Sequence, residues 1–325
     1  SNSTAAETAG TANSLISLDG DGFSVHGTGN DSNDTGEAYV GWCWEAGGAP
    51  TADNSAGAGA TPTAGSVKID GSNLGSALAG TIAATRLSAN TARGFSIVSY
   101  TGNGTHGTIA HGLSSAPTWI IVKDRDTAEN WAVWHSGIAI TKYLRLNANN
   151  AEATPSRKRW NDTSPTSTVF SVGDASDQGD REVNQNNEKY IAYCWTDISG
   201  YSKFGTYSGS GSANNSVTGV GFKPAWLMIK KTSGTDDWCI YDNTRHPTAS
   251  TNTRLEANDT SAEVSASTIE ITFDSDGFTL VGTGSTINGS SSDYIYMAFA
   301  DTREAAFFKD VSSNGNNFTP VNLDY

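Results

Sequence analysis

Cysteine, histidine, proline and basic residues are all scarce in this sequence. Its 325 residues include 3 Cys, 5 His, 8 Pro and 2 Met, and 20 Lys and Arg stand against 34 Asp and Glu. The resulting formal net charge of −14 argues against the phosphate neutralisation that nucleic-acid binding requires, and disfavours an anionic membrane surface. No apolar run approaches the roughly 18 to 20 residues needed to span a bilayer, so membrane insertion is not expected. No charged-then-apolar leader stands at Ser1, so localisation cannot be read from an address segment. Helical periodicity is nearly absent as well.

What is abundant is glycine, at 35 positions, with Ser, Thr and Asn crowded into turns and only 17% charged residues. That profile is typical of extracellular β-rich modules. Short β-branched and aromatic runs recur between turn residues: Phe95 to Tyr100, Trp119 to Lys123, Trp131 to His135 and Tyr190 to Trp195. Strands without intervening helices predict an all-β fold of antiparallel sheets, built as tandem β-sandwich modules of jelly-roll-like character. The run from Tyr190 to Trp195 is apolar at nearly every position, which predicts a central strand covered on both faces.

The runs also repeat. Tyr100-Thr101-Gly102-Asn103-Gly104 returns as Tyr207-Ser208-Gly209-Ser210-Gly211, Pro117 and Trp119 return as Pro224 and Trp226, and Trp131 returns as Trp238, at a constant offset of 107. A gap-free match across Gly, Pro and Trp positions marks one folding unit duplicated in tandem. The second half of the unit has a third copy at the start of the chain. Gly22-Phe23-Ser24-Val25 followed by Tyr39 to Glu45 matches Phe170-Ser171-Val172 followed by Tyr190 to Thr196, and matches Gly277 to Leu280 followed by Tyr294 to Ala300.

The organisation expected is therefore the C-terminal half of a repeat over residues 1–45, complete repeats over 94–200 and 201–306, and a tail or link over 307–325. The chain then opens inside a repeat, and Ser1 reads as the edge of a fragment. Residues 46–93, rich in Ala, Gly, Ser and Thr, read as a linker or insert, with Ser66 to Gly71 as a short exposed hairpin arm and Leu78 to Leu87 as a turn or two of helix. The link from Ile198 to Phe204 is short and apolar, which predicts a stiff junction suited to a rod.

Few residues suggest chemistry. Asp19, Asp21, Asp274 and Asp276 offer closely spaced carboxylates of the kind calcium favours, but the position where an EF-hand loop needs its Glu holds Asn30 or Ser285. Asp-Gly hairpin turns are the first reading of both pairs, and a weak surface calcium site the second. His106, His111, His135 and His246 do not repeat as a set and have no serine elbow or paired carboxylates nearby, so they read as surface or structural. Gly-Asn-Gly at 102 and Gly-Ser-Gly at 209 lack the following helix and lysine of a phosphate loop. Cys43 and Cys194 share a repeat position that holds Ala298 in the third copy, which marks a small core site, and Cys239 reads the same way.

The repeated aromatics, Trp119 with Trp226, Trp131 with Trp238, and Trp44 with Trp195 and Phe299, are expected in the core. Trp160 has no counterpart and follows Arg157-Lys158-Arg159, the only basic cluster. Two readings stand for Arg157, Arg159 and Trp160: an exposed contact for an acidic glycan, or an Arg–Trp packing device. No catalytic residue, metal ligand set or cofactor site is expected, and an enzyme would need carboxylates that converge where these are scattered.

The run Gly94 to Thr105, the following His111-Gly112-Leu113 and Ala116-Pro117, and the Tyr-Cys-Trp strand leading to Gly200 through Gly205 resemble a repeated module of marine tailed-bacteriophage virion structural and tail-fibre-like proteins. Residues 47–57 and 310–320 resemble segments of the same proteins. The resemblance implies a virion or extracellular location and a structural role, and brings no catalytic residues. The expected function is a repeat segment of a fibre or filamentous appendage, spacing and mediating attachment to a host surface. A homo-oligomer or filament with strand exchange between subunits, and a host-surface glycan, are the expected partners. A lectin-like adhesin module is the alternative, and a polysaccharide-degrading enzyme a more distant one.

Overall fold

The computed structural model describes residues 3–8, 15–20, 22–25, 33–155, 158–174, 181–245, 253–265 and 270–300. Arg157, Asp21 and His246 lie outside them, as do residues 301–325.

The described residues are all-β apart from two single helical turns. Strands β1 (Leu15–Leu18) and β2 (Phe23–Val25) form a hairpin, and β3 (Val67–Ile69), β4 (Ser72–Asn73) and β5 (Ala84–Asn90) follow. The first repeat contains β6 (Phe95–Thr101), β7 (Gly107–Ala110), β8 (Trp119–Asp124), β9 (Ala132–His135), β10 (Leu144–Arg145), β11 (Val169–Val172), the turn α1 (Arg181–Asn184) and β12 (Lys189–Trp195). The second contains β13 (Ser202–Ser208), β14 (Asn215–Thr218), β15 (Pro224–Lys231), β16 (Cys239–Asp242), β17 (Thr253–Glu256), β18 (Val264–Ser265), β19 (Ile271–Asp274), β20 (Gly277–Leu280), the turn α2 (Ser285–Asn288) and β21 (Asp293–Ala300).

Each repeat is a two-layer sandwich. In the first, a large sheet of order β10-β9-β8-β12-β6-β5-β3-β4 faces the pair β11-β7. In the second, β13-β21-β15-β16-β17-β18 faces β14-β20-β19. The apolar strand β12 sits between β6 and β8, and β21 occupies the same place between β13 and β15. The first large sheet ends at both margins in two-residue strands, whereas the second has seven-residue β13 at one margin.

Residues 46–93 are not a linker. β5 pairs antiparallel with β6, and β3 runs parallel to β5, the one parallel pair among the described strands. Val67, Leu78, Ile82, Ala84, Leu87 and Ala89 are buried in the first core. Small residues make this possible: a Cβ on Gly47 would stand 1.9 Å from the Ala89 carbonyl oxygen, so only glycine lets that strand of chain lie flat on the sheet. The expected helix over Leu78 to Leu87 is replaced by an extended approach into β5, because Thr85 to Leu87 join the sheet and bury the alternate Leu87 side chain.

One device explains the repeated Tyr-x-Gly-x-Gly motif. Tyr100 stacks on Tyr190 (centroids 5.2 Å apart) and donates to the Val183 carbonyl; Tyr207 stacks on Tyr294 (4.8 Å) and donates to the Ile287 carbonyl. Each helical turn ends in a fully buried Asn. The Asn184 amide nitrogen donates to the carbonyls of Thr105 (2.6 Å) and Gly173 (2.8 Å) while its oxygen accepts from Asn103 N–H; Asn288 repeats this with Ser212, Gly282 and Ser210. A Cβ on Gly102 or Gly209 would lie 2.2 Å from a carbonyl oxygen of that turn, so the glycines serve backbone docking.

The two sandwiches are not strung end to end as a stiff rod of separate units. The alternate residues of β21 divide: Tyr294, Tyr296 and Ala298 fill the core of the second sandwich, while Ile295, Met297 and Phe299 face outward and join the core of the first. Across this back-to-back contact Trp119 meets Phe204 (6.2 Å) and Trp238 (5.9 Å), and the Trp238 indole N–H donates to the carbonyls of Arg145 (2.9 Å) and Ala148 (3.2 Å). The short junction is nonetheless ordered: Asp197 accepts from the Phe204 N–H and binds Lys203 at 2.5 Å. Outward residues that look like one sheet's surface are thus a shared interior.

Candidate functional site

A concave feature lies where residues 40–44 cross the second sandwich. Trp42 and Trp44, one pleat apart, point to the same side and land on Trp226, at 6.0 and 5.5 Å between ring centroids with near-perpendicular planes. Trp44 also meets Trp195 (6.4 Å) and Phe299 (5.7 Å), bringing together the three repeat-equivalent aromatics. Tyr201 closes one side against Phe299 (5.8 Å), with the Arg93 guanidinium 5.2 Å from the Tyr201 ring centroid.

Trp42, Trp44, Tyr201, Trp226 and Phe299, together with Asp242, Asn243 and Thr244, line an open cleft of about 440 Å³. The Asp242 carboxylate accepts from the backbone N–H groups of Thr244 (3.1 Å) and Arg245 (2.9 Å) and from Arg245 Nε (2.7 Å), which fixes the polar wall. Arg245 in turn places its guanidinium 5.9 Å from the Trp42 ring centroid. Burial raises the Tyr201 phenol pKa above its usual value, so it stays a neutral donor at physiological pH. The chemistry this arrangement supports is recognition of a flat apolar face by aromatic rings, with polar groups at one rim.

The residues singled out from sequence fall elsewhere. Trp160 is 2% exposed and belongs to the first core with Trp134 and Phe170, so it is no exposed stacking platform. Arg159, equally buried, lies over the Tyr143 ring (3.7 Å) and 2.9 Å from a Glu182 oxygen; Glu182 also pairs with Arg145 at 2.5 Å. The basic cluster is therefore an internal packing device at Arg159 and Trp160, while Arg157 lies outside the described residues. Asp19 accepts hydrogen bonds from Ser17 and Ser24 (2.7 Å each), which hold its carboxyl below the usual range; Asp274 accepts from Thr272 and Thr279, and Asp276 from the N–H groups of Gly219 and Gly221. Asp19 and Asp274 thus tie their own hairpins and Asp276 ties the loop after β14, and among the described residues no three metal-ligating side chains gather.

The histidines divide between surface and interior. His106 is exposed, whereas His111 and His135 are buried, and desolvation pushes them down to about 4 and about 3. His135 Nδ1 accepts from Gly137 N–H, and Leu113 N–H donates to His111 Nδ1. Cys194 and Cys239 are buried with raised thiol pKa values, but Cys43, expected in a core, is exposed. Trp42 and Arg245 were not marked by sequence reasoning. Trp42 carried a usable signal, since it stands where the other copies hold Tyr193 and Met297.

Residues 1–70 and 68–303 both match one family, described as a domain of unknown function, DUF7483. No curated protein and no solved structure matches the chain. Because the two matched stretches together run through most of the sequence, the chain belongs to the DUF7483 family.

Proposed function

We propose that this chain is a structural repeat segment of a virion fibre or other extracellular filament, one that spaces a host-attachment surface rather than catalysing a reaction. The observation that carries the reading is the shared interior between the two sandwiches. Trp119, Phe204, Trp238 and Phe299 bury their rings between the large sheets, so the pair resists bending as one body. Rigid repeated bodies suit reach and multivalent display, in which several weak contacts add. The resemblance to tailed-phage virion proteins points the same way. Labelling purified parent particles with antibody to this chain tests it by electron microscopy. Decoration along a fibre or filament is expected, and absence from every appendage refutes the role.

A second reading, a glycan-binding adhesin module, draws on the aromatic cleft of Trp42, Trp44, Tyr201 and Trp226, since pyranose rings present the flat C–H faces that indoles stack against. Binding of host polysaccharide that is lost in Trp42→Ala and kept in Trp160→Phe supports that reading. Equal binding by the Trp42→Ala chain removes it.

A further inference from the structure

From the internal repeats, we infer that β1, β2 and residues 39–44 form the open half of a third sandwich, an acceptor for the leading half of another repeat unit, meaning strands equivalent to β13 through β17. The chain itself shows twice what covers these positions. Phe23 is 45% exposed, whereas its counterparts Phe170 and Phe278 are each 0% exposed. Tyr39 is 49% exposed, against 0% for Tyr190 and 1% for Tyr294. Cys43 is exposed, and Cys194 and Ala298 are fully buried.

The hairpin is already built to the repeat's plan. Asp19 ties Ser17 and Ser24 as Asp274 ties Thr272 and Thr279, so β1-β2 shares the side-chain hydrogen bonds of β19-β20, with a register irregularity between Leu15 and Ser17. In the complete unit β20 then pairs with β14, and the Tyr294 strand lies between β13 and β15. Among the described strands β1 pairs only with β2, and residues 39–44 belong to no sheet.

The pleat of residues 39–45 says which side is vacant. Val40, Trp42 and Trp44 are partly buried, while Tyr39, Gly41, Cys43 and Glu45 are exposed, a strict alternation. Trp42 and Trp44 dock on Trp226 as Ile295, Met297 and Phe299 dock on the neighbouring sandwich. The other side corresponds to Tyr294, Tyr296 and Ala298, which face their own unit's interior. The outward face of this segment is therefore seated and its inward face stands open.

The occupant this surface fits supplies a tyrosine to stack on Tyr39, as Tyr207 stacks on Tyr294, and edges to pair with β2 and with residues 39–44. Both leading halves within the chain are already paired to β12 and β21, so a further copy is required. A second whole chain has its leading halves paired in the same way, and the occupant is the unpaired leading half of a repeat.

Cys43 gives the test a reporter, because Cys194 and Cys239 are buried and only Cys43 reacts readily with a maleimide. Two additions are compared with the unmodified chain: a synthetic peptide of residues 201–220 in trans, and a full chain extended at its N-terminus by a second copy of residues 201–256. Burial of Cys43 in the extended chain slows labelling on the order of 100-fold, and the peptide gives saturable slowing of about 10-fold. The same additions carrying Tyr207→Asp leave the rate unchanged. The inference is overturned if both additions leave Cys43 as reactive as before, or if the Tyr207→Asp versions protect equally. It is also overturned if labelling slows with chain concentration alone, which makes a second whole chain the occupant.

Discussion

Trp238→Ala tests whether the back-to-back sheets form one cooperative body. Trp238 is fully buried, packs on Trp119 and donates to two carbonyls of the first repeat. Truncation leaves a large cavity between the sheets and costs about 3 to 5 kcal/mol, a third or more of a typical domain's stability. Trp238→Phe keeps most of the ring contact and strands the Arg145 and Ala148 carbonyls, so about 1 to 2 kcal/mol is expected. The informative quantity is where the loss is felt. Native-state hydrogen exchange in β8, on the first repeat, and in β15, on the second, reports each sheet separately. Both must lose protection by the same free energy, and urea unfolding must remain a single transition. Loss confined to β15, β16 and β17, with β6 and β8 unchanged, refutes the shared interior and restores two independent modules.

Acid stability follows from the buried histidines. His135 and His111 have folded pKa values of about 3 and about 4 against an ordinary 6.5, so the unfolded chain binds more protons below pH 6.5 and stability falls as pH drops from there. At pH 4 the loss is about 3 kcal/mol for each. His135→Gln therefore flattens the decline between pH 6.5 and 4 in urea midpoints, and an unchanged slope contradicts the assignment. Asn184→Ala and Asn288→Ala remove equivalent clamps and each cost about 3 kcal/mol by leaving buried carbonyls unpaired. Denaturation that ranks them far apart counts against the structural equivalence. Gly102→Ala drives a Cβ into the Gln185 carbonyl and costs about 1 to 3 kcal/mol, measured by thermal melting.

Much of the sandwich was legible because its signals are local. Tyr100 and Gly102 return 107 residues on as Tyr207 and Gly209, Tyr190 returns as Tyr294, and the apolar run from Tyr190 to Trp195 gave a central strand correctly. What covers the far face of that strand was not legible. Trp119 and Trp238 read as core residues under any packing and Phe204 as part of a short apolar link, and nothing in their spacing says that one sheet's outside becomes another's inside. The segment 46–93 misled for a related reason. Gly47, Ala84 and Ala89 are small because backbone lies against backbone there, and in a sequence close approach looks like slack. Trp160 misled through its neighbours: Arg159 is charged, yet Glu182 and the Tyr143 face neutralise and cover it inside the protein.

The unequal margins of the two large sheets bear on how the protein behaves when concentrated. Strand-by-strand accretion needs a run of unpaired amides and carbonyls as a template, and two residues at β4, β10 or β18 are too short to nucleate it. Among the described strands, β13 alone offers seven residues at a sheet border, interrupted by Gly205 and carrying Lys203. On the two large sheets, ribbon-like accretion is therefore expected at the β13 border, and a proline placed at Gly205 is the change that most directly blunts it.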